Sequence, residues 1–469
     1  GNNLFYIVEI FVKSPCSGVY ALLDPYKMFH NLILSTYKNT LIVCSSNTYN
    51  RHIHGDGMTR ALVLGAAGAV GRACSLFLIK SKVFDEIILA DKRIDVLREV
   101  YKDYVNSNIS LEYIDVNDRD ALKKLLKNSD IVFNAVGPFY KFGIKVLEAS
   151  VDTGIDYVDV CDDYDATIRM LELSDKATKN GVRALIGMGS SPGLSNVIAK
   201  FAAEYLLTEV FAIDIYHAHG GEPYEGPAVI QHRAHSMMID IPIYLDGKII
   251  YTRLDSELAK QFEYEVEFPE IGTYKVYLYP HPETITLPRY IRVKKRVTNL
   301  GLVLPPEYAY LIRTLVKAGL FSDEEVEVNG KVIRAQDFAI AYILKKRKEI
   351  LEKAGLTQPI GCLMIVIEGL RGSDNYKYTF YTVARGLGMG EGTGIPLALG
   401  GIMIKEGLIR EYGVYPPEAV VDPLKLFEIA NKYVVTPMGK GIPIKVIEEG
   451  PEGKREYSIE ELFNKFVQK

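Results

Sequence analysis

Apolar runs recur along the first half of the chain and alternate with helix-like stretches. Ala61-Leu62-Val63-Leu64, Ile87-Ile88-Leu89-Ala90, Leu111-Glu112-Tyr113-Ile114, Ile131-Val132-Phe133-Asn134-Ala135, Tyr157-Val158-Asp159-Val160 and Ala184-Leu185-Ile186-Gly187 predict six strands in succession. Strands separated by helices in this way form a parallel sheet wound on both faces. The unit runs from residue 58 to about 206 and ends in a helix that starts near Leu194.

Beyond it the pattern changes. Phe262 to Phe268 and Thr273 to Tyr279 alternate with period two, around a turn at Glu270-Ile271-Gly272, so the stretch from Val210 to Asn299 is expected to hold antiparallel strands with one wet face. Helices are predicted at 306–318 and 335–354, the latter carrying a solvated Lys-Lys-Arg-Lys face, and strands at 362–368 and 377–384 around Gly372-Ser373-Asp374-Asn375. Residues 207–391 therefore read as a mixed α+β layer. Thr393 is a candidate helix N-cap with Pro396 in the first turn.

Residues 1–57 are poor in charge and show no clear period before Met58 opens the first strand. They are expected to be a non-native or poorly ordered extension, with Met58 the natural start.

Gly65-Ala66-Ala67-Gly68-Ala69-Val70-Gly71 follows the first strand and opens a helix, and Asp91 closes the second strand twenty residues after Gly71. Gly65 permits the tight turn, Gly68 admits a pyrophosphate to main-chain N–H groups, and Gly71 lets helix and strand lie close. Asp91 would accept hydrogen bonds from the adenosine ribose. It favours NAD, while Lys92 and Arg93 directly after it could hold the extra phosphate of NADP. Asp115 and Val116 should flank the adenine. Asn134, Ala135, Val136, Gly137, Pro138 and Phe139 end the fourth strand where the cofactor crosses the sheet.

The 469 residues carry 55 basic and 59 acidic side chains, a net charge of −4, with no large block of one sign. This gives no case for nucleic acid or an anionic membrane, and no apolar run approaches the roughly 18 residues of a membrane span. Five scattered cysteines without Cys-x-x-Cys spacing argue against a disulfide framework and for a reducing, cytoplasmic setting.

Four stretches carry a resemblance to the saccharopine dehydrogenase family. They are the Gly65–Gly71 turn with Asp91, Asn134 to Tyr140, Ser191-Pro192-Gly193-Leu194-Ser195-Asn196, and Thr393-Gly394-Ile395-Pro396 followed by Glu406-Gly407 and Gly413 to Glu418. Within the family the chain most resembles the L-lysine 6-dehydrogenase branch. The resemblance implies a Rossmann domain, an inserted substrate and dimerisation domain at residues 207–391, helices in residues 392–469 that return to the Rossmann domain, a homodimer, no metal, and hydride transfer to or from a carbon bearing nitrogen. Lysine or a similar amino acid is the expected substrate. One alternative is a reductive enzyme that forms a secondary amine of the saccharopine or carboxynorspermidine type; another is a dinucleotide-sensing protein without turnover.

Amine oxidation needs a hydride acceptor near the C–H bond and a group that takes the proton. Tyr140, Asp159, Asp162 and His235 are the catalytic candidates, with His232 beside them. His217, His219, His232 and His235 crowd into one region, and His232-x-x-His235 could place two imidazoles on one helical face, but no neighbouring pattern completes a metal site. Arg233 and Arg371 are candidates for a substrate carboxylate, Glu222 for a distal ammonium, and His232 for a further substrate contact.

Overall fold

A computed structural model describes residues 57–222, 225–386, 388–436 and 439–467, together with the short strands Thr36–Tyr37 and Thr40–Leu41, which pair antiparallel by themselves. The expected extension at residues 1–57 otherwise lies outside the described residues.

The first sheet holds β1 (Arg60–Leu64), β2 (Glu86–Asp91), β3 (Ile109–Tyr113), β4 (Ile131–Asn134), β5 (Asp156–Asp159) and β6 (Arg183–Leu185). They run parallel in the order β6-β5-β4-β1-β2-β3, and a seventh strand, Gly413–Tyr415, adds to β6. Ala61 to Leu64 and Val132 to Asn134 are fully buried because helices cover both faces. Those helices include α1 (Ala69–Ser81), α2 (Phe139–Thr153), α3 (Tyr164–Leu171) and α4 (Leu194–Phe201). The order reverses between β1 and β4, which opens a crevice at their carboxyl ends.

The second sheet is built on four long strands. β7 (Glu209–Gly220), β8 (Ile241–Leu245), β9 (Lys248–Thr252), β10 (Tyr277–Leu278), β11 (Val293–Leu304), β12 (Ile360–Arg371), β13 (Asp374–Arg385), β14 (Lys445–Gly450) and β15 (Gly453–Ser458) lie in the order β9-β8-β11-β7-β12-β13-β14-β15, with β10 beside β11. Between Val210 and Asn299 the expected antiparallel pairings form, β8 with β9 and with β11, but the structure departs from the expectation at the centre of the sheet. The predicted hairpin forms, but as its own two-stranded sheet, Glu265–Phe268 with Gly272–Lys275. The central pair of the large sheet, β7 and β11, is parallel. Both strands are buried on two faces, Ile213 and Ile215 against one apolar cluster and Tyr216, Ala218, Leu300 and Leu302 against another. A strand apolar on both sides has no period-two signal to read.

The crossover between β7 and β11 carries α5 (Pro227–Met238) and α6 (Glu283–Tyr290), and α7 (Pro306–Lys317) and α8 (Ala335–Lys353) follow. The next helix, α9, spans Met389–Lys405, so Thr393 lies inside it and Gly388 is the N-cap. Glu391 returns its carboxylate to the Gly388 N–H at 3.1 Å. Pro396 sits in the helix interior, where the Gly392 carbonyl forgoes its usual partner. α9 lies directly on α1: a Cβ at Gly394 would stand 2.5 Å from the Val70 carbonyl oxygen. The chain then leaves this domain again. β14 and β15 extend the second sheet from β13, and Phe463, on the final helix Ile459–Val467, packs on Phe201 and Phe427. Among the described residues no helix is long and apolar enough to cross a membrane.

Candidate active site

The turn after β1 is shaped to receive a dinucleotide. Gly65 has φ +78°, and a Cβ on Gly71 would stand 2.2 Å from the Gly65 carbonyl oxygen, so no side chain is tolerated where α1 meets the turn. Gly68 caps α1 without a side chain and the first turn carries no acid, which leaves its N–H groups to an anion. Asp91 is buried at the end of β2, one oxygen accepting the Ala67 N–H at 3.0 Å and the other the Arg93 N–H at 2.9 Å. Arg93 Nη2 lies about 4 Å from where a Cβ of Gly68 would be, above the turn. Lys92 pairs with Asp115 at 2.7 Å.

Three of the residues expected to contact the cofactor turn their side chains inward. The Val116 and Phe139 side chains are buried in the core, and Asn134 turns inward to the Tyr157 hydroxyl at 2.9 Å while its Oδ1 accepts the Val136 N–H. Their strand-end positions leave only main chain for a ligand. Ala135 backs the Gly65 turn, and the Gly137-Pro138 bond is cis, with Gly137 close to Ala228 of α5.

Asp159 likewise turns inward. It is wholly buried and accepts hydrogen bonds from Cys161 N–H (3.0 Å), Gly187 N–H (2.7 Å) and the Tyr157 hydroxyl (2.7 Å). Burial pushes its carboxyl up to about 6 against those bonds. It braces the loops after β5 and β6 and has no face toward a substrate.

α5 brings the histidines to the crevice. His232 and His235 lie three residues apart on it and face the segment Asp162–Asp165 that leads into α3. His232 Nδ1 meets Asp163 Oδ1 at 2.9 Å and its Nε2 stands 3.3 Å from Asp162 Oδ2. Burial opposes a charge on this imidazole, but the two carboxylates outweigh it and raise it to about 9. His235 Nε2 meets Asp165 at 3.1 Å, and its ring stacks on Tyr140 with centroids 3.8 Å apart. Burial pushes the Tyr140 phenol up to about 12.

Arg233 is paired within the protein, whereas Glu222, beside it, keeps a buried Oε2 without a hydrogen-bond partner among the described residues. Arg233 pairs with buried Glu225 at 2.7 Å, Tyr308 donates to Glu225 at 2.7 Å, and Arg347 approaches Glu225 at 3.1 Å and Glu222 at 3.8 Å. Arg371 is removed from the site altogether. It ends β12, whose other end pairs Ile360 with Gly220, and it is held by Glu448 at 2.9 Å and the Tyr376 ring at 3.6 Å. Eleven residues of strand separate the two ends, roughly 35 Å.

The structure adds groups that the sequence did not single out. His281 and Tyr279 face His217, with ring centroids of His281 and His217 5.5 Å apart and those of Tyr279 and His217 5.0 Å apart. Glu283, fully buried on α6, accepts from Ser195 Oγ at 2.9 Å and Ser191 Oγ at 2.5 Å, and its second oxygen lies 3.5 Å from His281 Nδ1. Asn196 continues the chain of contacts to buried Glu418 at 2.8 Å. The one available signal was His281-Pro282-Glu283, two ionisable residues flanking a proline with no periodic context.

Residues 61–185 match the family model described as saccharopine dehydrogenase NADP binding domain. The chain is 23% identical over 379 residues to carboxyaminopropylagmatine dehydrogenase of Synechocystis sp., covering 77% of this chain and 92% of that one. It is 24% identical over 300 residues to carboxynorspermidine synthase of Vibrio cholerae, covering 58% and 70%. Among solved structures, saccharopine dehydrogenase (L-Glu forming) from Saccharomyces cerevisiae superposes with a TM-score of 0.59 at 16% identity, over 83% of this chain and 99% of that one, a likeness of fold.

Proposed function

We propose, from the premise that the chain belongs to the saccharopine dehydrogenase family, that it joins an amino-acid aldehyde to a di- or polyamine by NADPH-dependent reduction of the imine between them. The observation that carries this reading is His232, held as an imidazolium between Asp162 and Asp163 at the carboxyl end of β5. Two carboxylates beside an exchangeable proton suit a cationic amine whose nitrogen must lose and regain protons. The names of the two relatives, both carboxylated polyamines, support the reductive route over oxidation of lysine.

The primary amine adds to the aldehyde carbon and water leaves, giving a C=N bond. A bound nicotinamide dinucleotide supplies hydride to that carbon. Asp162, whose side chain is about one-third exposed, accepts a hydrogen bond from the substrate nitrogen, and His232 gives its Nε2 proton to the departing oxygen. Asp163 keeps the imidazole oriented through Nδ1, and the Tyr140 ring stacked on His235 walls the other side.

NADP is the proposed cofactor form. Asp91 is held by a main-chain N–H on each oxygen and meets Arg93 Nε at 3.4 Å, which leaves Arg93 Nη2 over Gly68 to offer a guanidinium nitrogen to a phosphate. The test is NADPH consumption by the purified chain with a four-carbon amino-acid semialdehyde plus agmatine or propane diamine, beside an oxidative arm with lysine and NADP. Turnover in the reductive arm is expected. Faster turnover with lysine, or dinucleotide binding with no turnover on any amine, overturns the reading.

A further inference from the structure

Asp162, His232 and His281 each offer one ligand atom, and the three atoms lie within 4.8 Å of one another. Asp162 Oδ2 and His232 Nε2 are 3.3 Å apart. That equals the edge of a tetrahedron whose centre stands about 2.0–2.1 Å from each corner, the bond length of zinc to nitrogen or carboxylate oxygen. It is also too long for a good hydrogen bond between them.

The outer contacts fit the same reading. His232 Nδ1 is backed by Asp163 Oδ1 at 2.9 Å, and His281 Nδ1 by Glu283 Oε2 at 3.5 Å. A carboxylate behind one imidazole nitrogen orients the other toward a cation and raises its basicity. These supports are themselves anchored, Asp163 by the Tyr140 N–H at 2.9 Å and Glu283 by Ser191 and Ser195. An independent observation points to a ligand nearby. His217, only 9% exposed and stacked on His281, has a buried Nε2 with no hydrogen-bond partner among the described residues.

We propose that Asp162, His232 and His281 form a binding site for a borderline divalent cation, of which zinc is the reference. Two imidazoles and one carboxylate favour zinc or cobalt over magnesium or calcium. Entry of the cation displaces the His232 proton to solvent. The neighbouring triad Asp163, Asp165 and His235 is a poorer host. There Asp163 is spent on His232 and the Tyr140 N–H, and His235 Nε2 on Asp165. If the amine nitrogen sits where we place it above, the cation takes its position and competes with the amine; that clause rests on the proposed function, whereas binding does not.

The test is titration of the full chain with cobalt(II), without nucleotide or amine, reading the visible ligand-field bands, followed by displacement with zinc. One saturable site with four- or five-coordinate bands is expected. It should weaken at least about tenfold in His281→Gln and in Asp162→Asn and persist in His235→Gln, with circular dichroism confirming that each variant is folded. No saturable spectrum, a thiolate charge-transfer band, undiminished binding in both ligand variants, or loss in His235→Gln overturns the proposal. Cation binding by a chain that turns over no amine would sink the proposed function and leave this site standing.

Discussion

Replacing His232 by Gln should remove a specific slope from the dependence of stability on pH. The imidazole is raised by Asp162 and Asp163, against burial, from 6.5 to about 9. A group raised on folding stabilises the native state fully below its unfolded value, and that contribution is lost as pH climbs through the folded value. A tenfold change in proton affinity between the folded and unfolded chains corresponds to about 1.4 kcal/mol, so the His232 contribution should fall by about 2 kcal/mol between pH 7 and pH 9. The window is a clean one. His217 and His219 are driven toward the neutral form by burial, so they stay uncharged there in both folded and unfolded chains. Asp159, at about 6, has largely finished titrating, and Glu418, at about 7, titrates alike in both proteins and cancels in the difference. Thiols and phenols that begin to ionise near pH 9 are common to both proteins and cancel in the difference. Urea unfolding followed by far-UV circular dichroism, suited to a chain without tryptophan, would give the two profiles. The wild type should lose the stated amount relative to His232→Gln across the window. Parallel profiles would show that His232 is not held as an imidazolium and would refute the electrostatic reading of the cleft.

Gly71→Ala should cost about 1–3 kcal/mol of stability and most dinucleotide affinity, because its Cβ would meet the Gly65 carbonyl oxygen at 2.2 Å; calorimetric titration with NADPH measures this. Arg93→Ala should weaken NADPH binding about tenfold while leaving NADH within about twofold, read as the ratio of the two dissociation constants. Glu418, pushed up by burial to about 7, favours the neutral form in the native state, so its stabilisation is full below pH 4.5 and fades as pH rises through 7. Glu418→Gln should therefore be more stable than the wild type above pH 7, by about 1–3 kcal/mol in urea unfolding. Arg371→Ala should change kcat/KM less than about twofold, since the side chain is bound to Glu448 at the far end of β12.

The nucleotide domain was legible because its signals are local. Apolar runs, glycine spacing and an acidic strand end act over a few residues, and β1 to β6 fall where those runs lie. The helices at 306–317 and 335–353 likewise follow from their own periodicity. What escaped depends on neighbours distant in sequence. The parallel pairing of β7 with β11 is set by burial on both faces, which erases alternation, and the start of α9 is set by Gly388 and Glu391 rather than by Thr393.

The same division runs through the site. Sequence by itself determined that a dinucleotide turn exists and that histidines and acids crowd one stretch, since residue type and spacing are written in the chain. Only the tertiary structure decided which of them meet: Asp162 and Asp163 with His232 across about seventy residues, His281 beside His217, and Asp159, Arg233 and Arg371 each committed to an internal partner. A side chain's chemistry is fixed by its covalent structure, but its charge, its free lone pairs and its reach are fixed by what is packed around it.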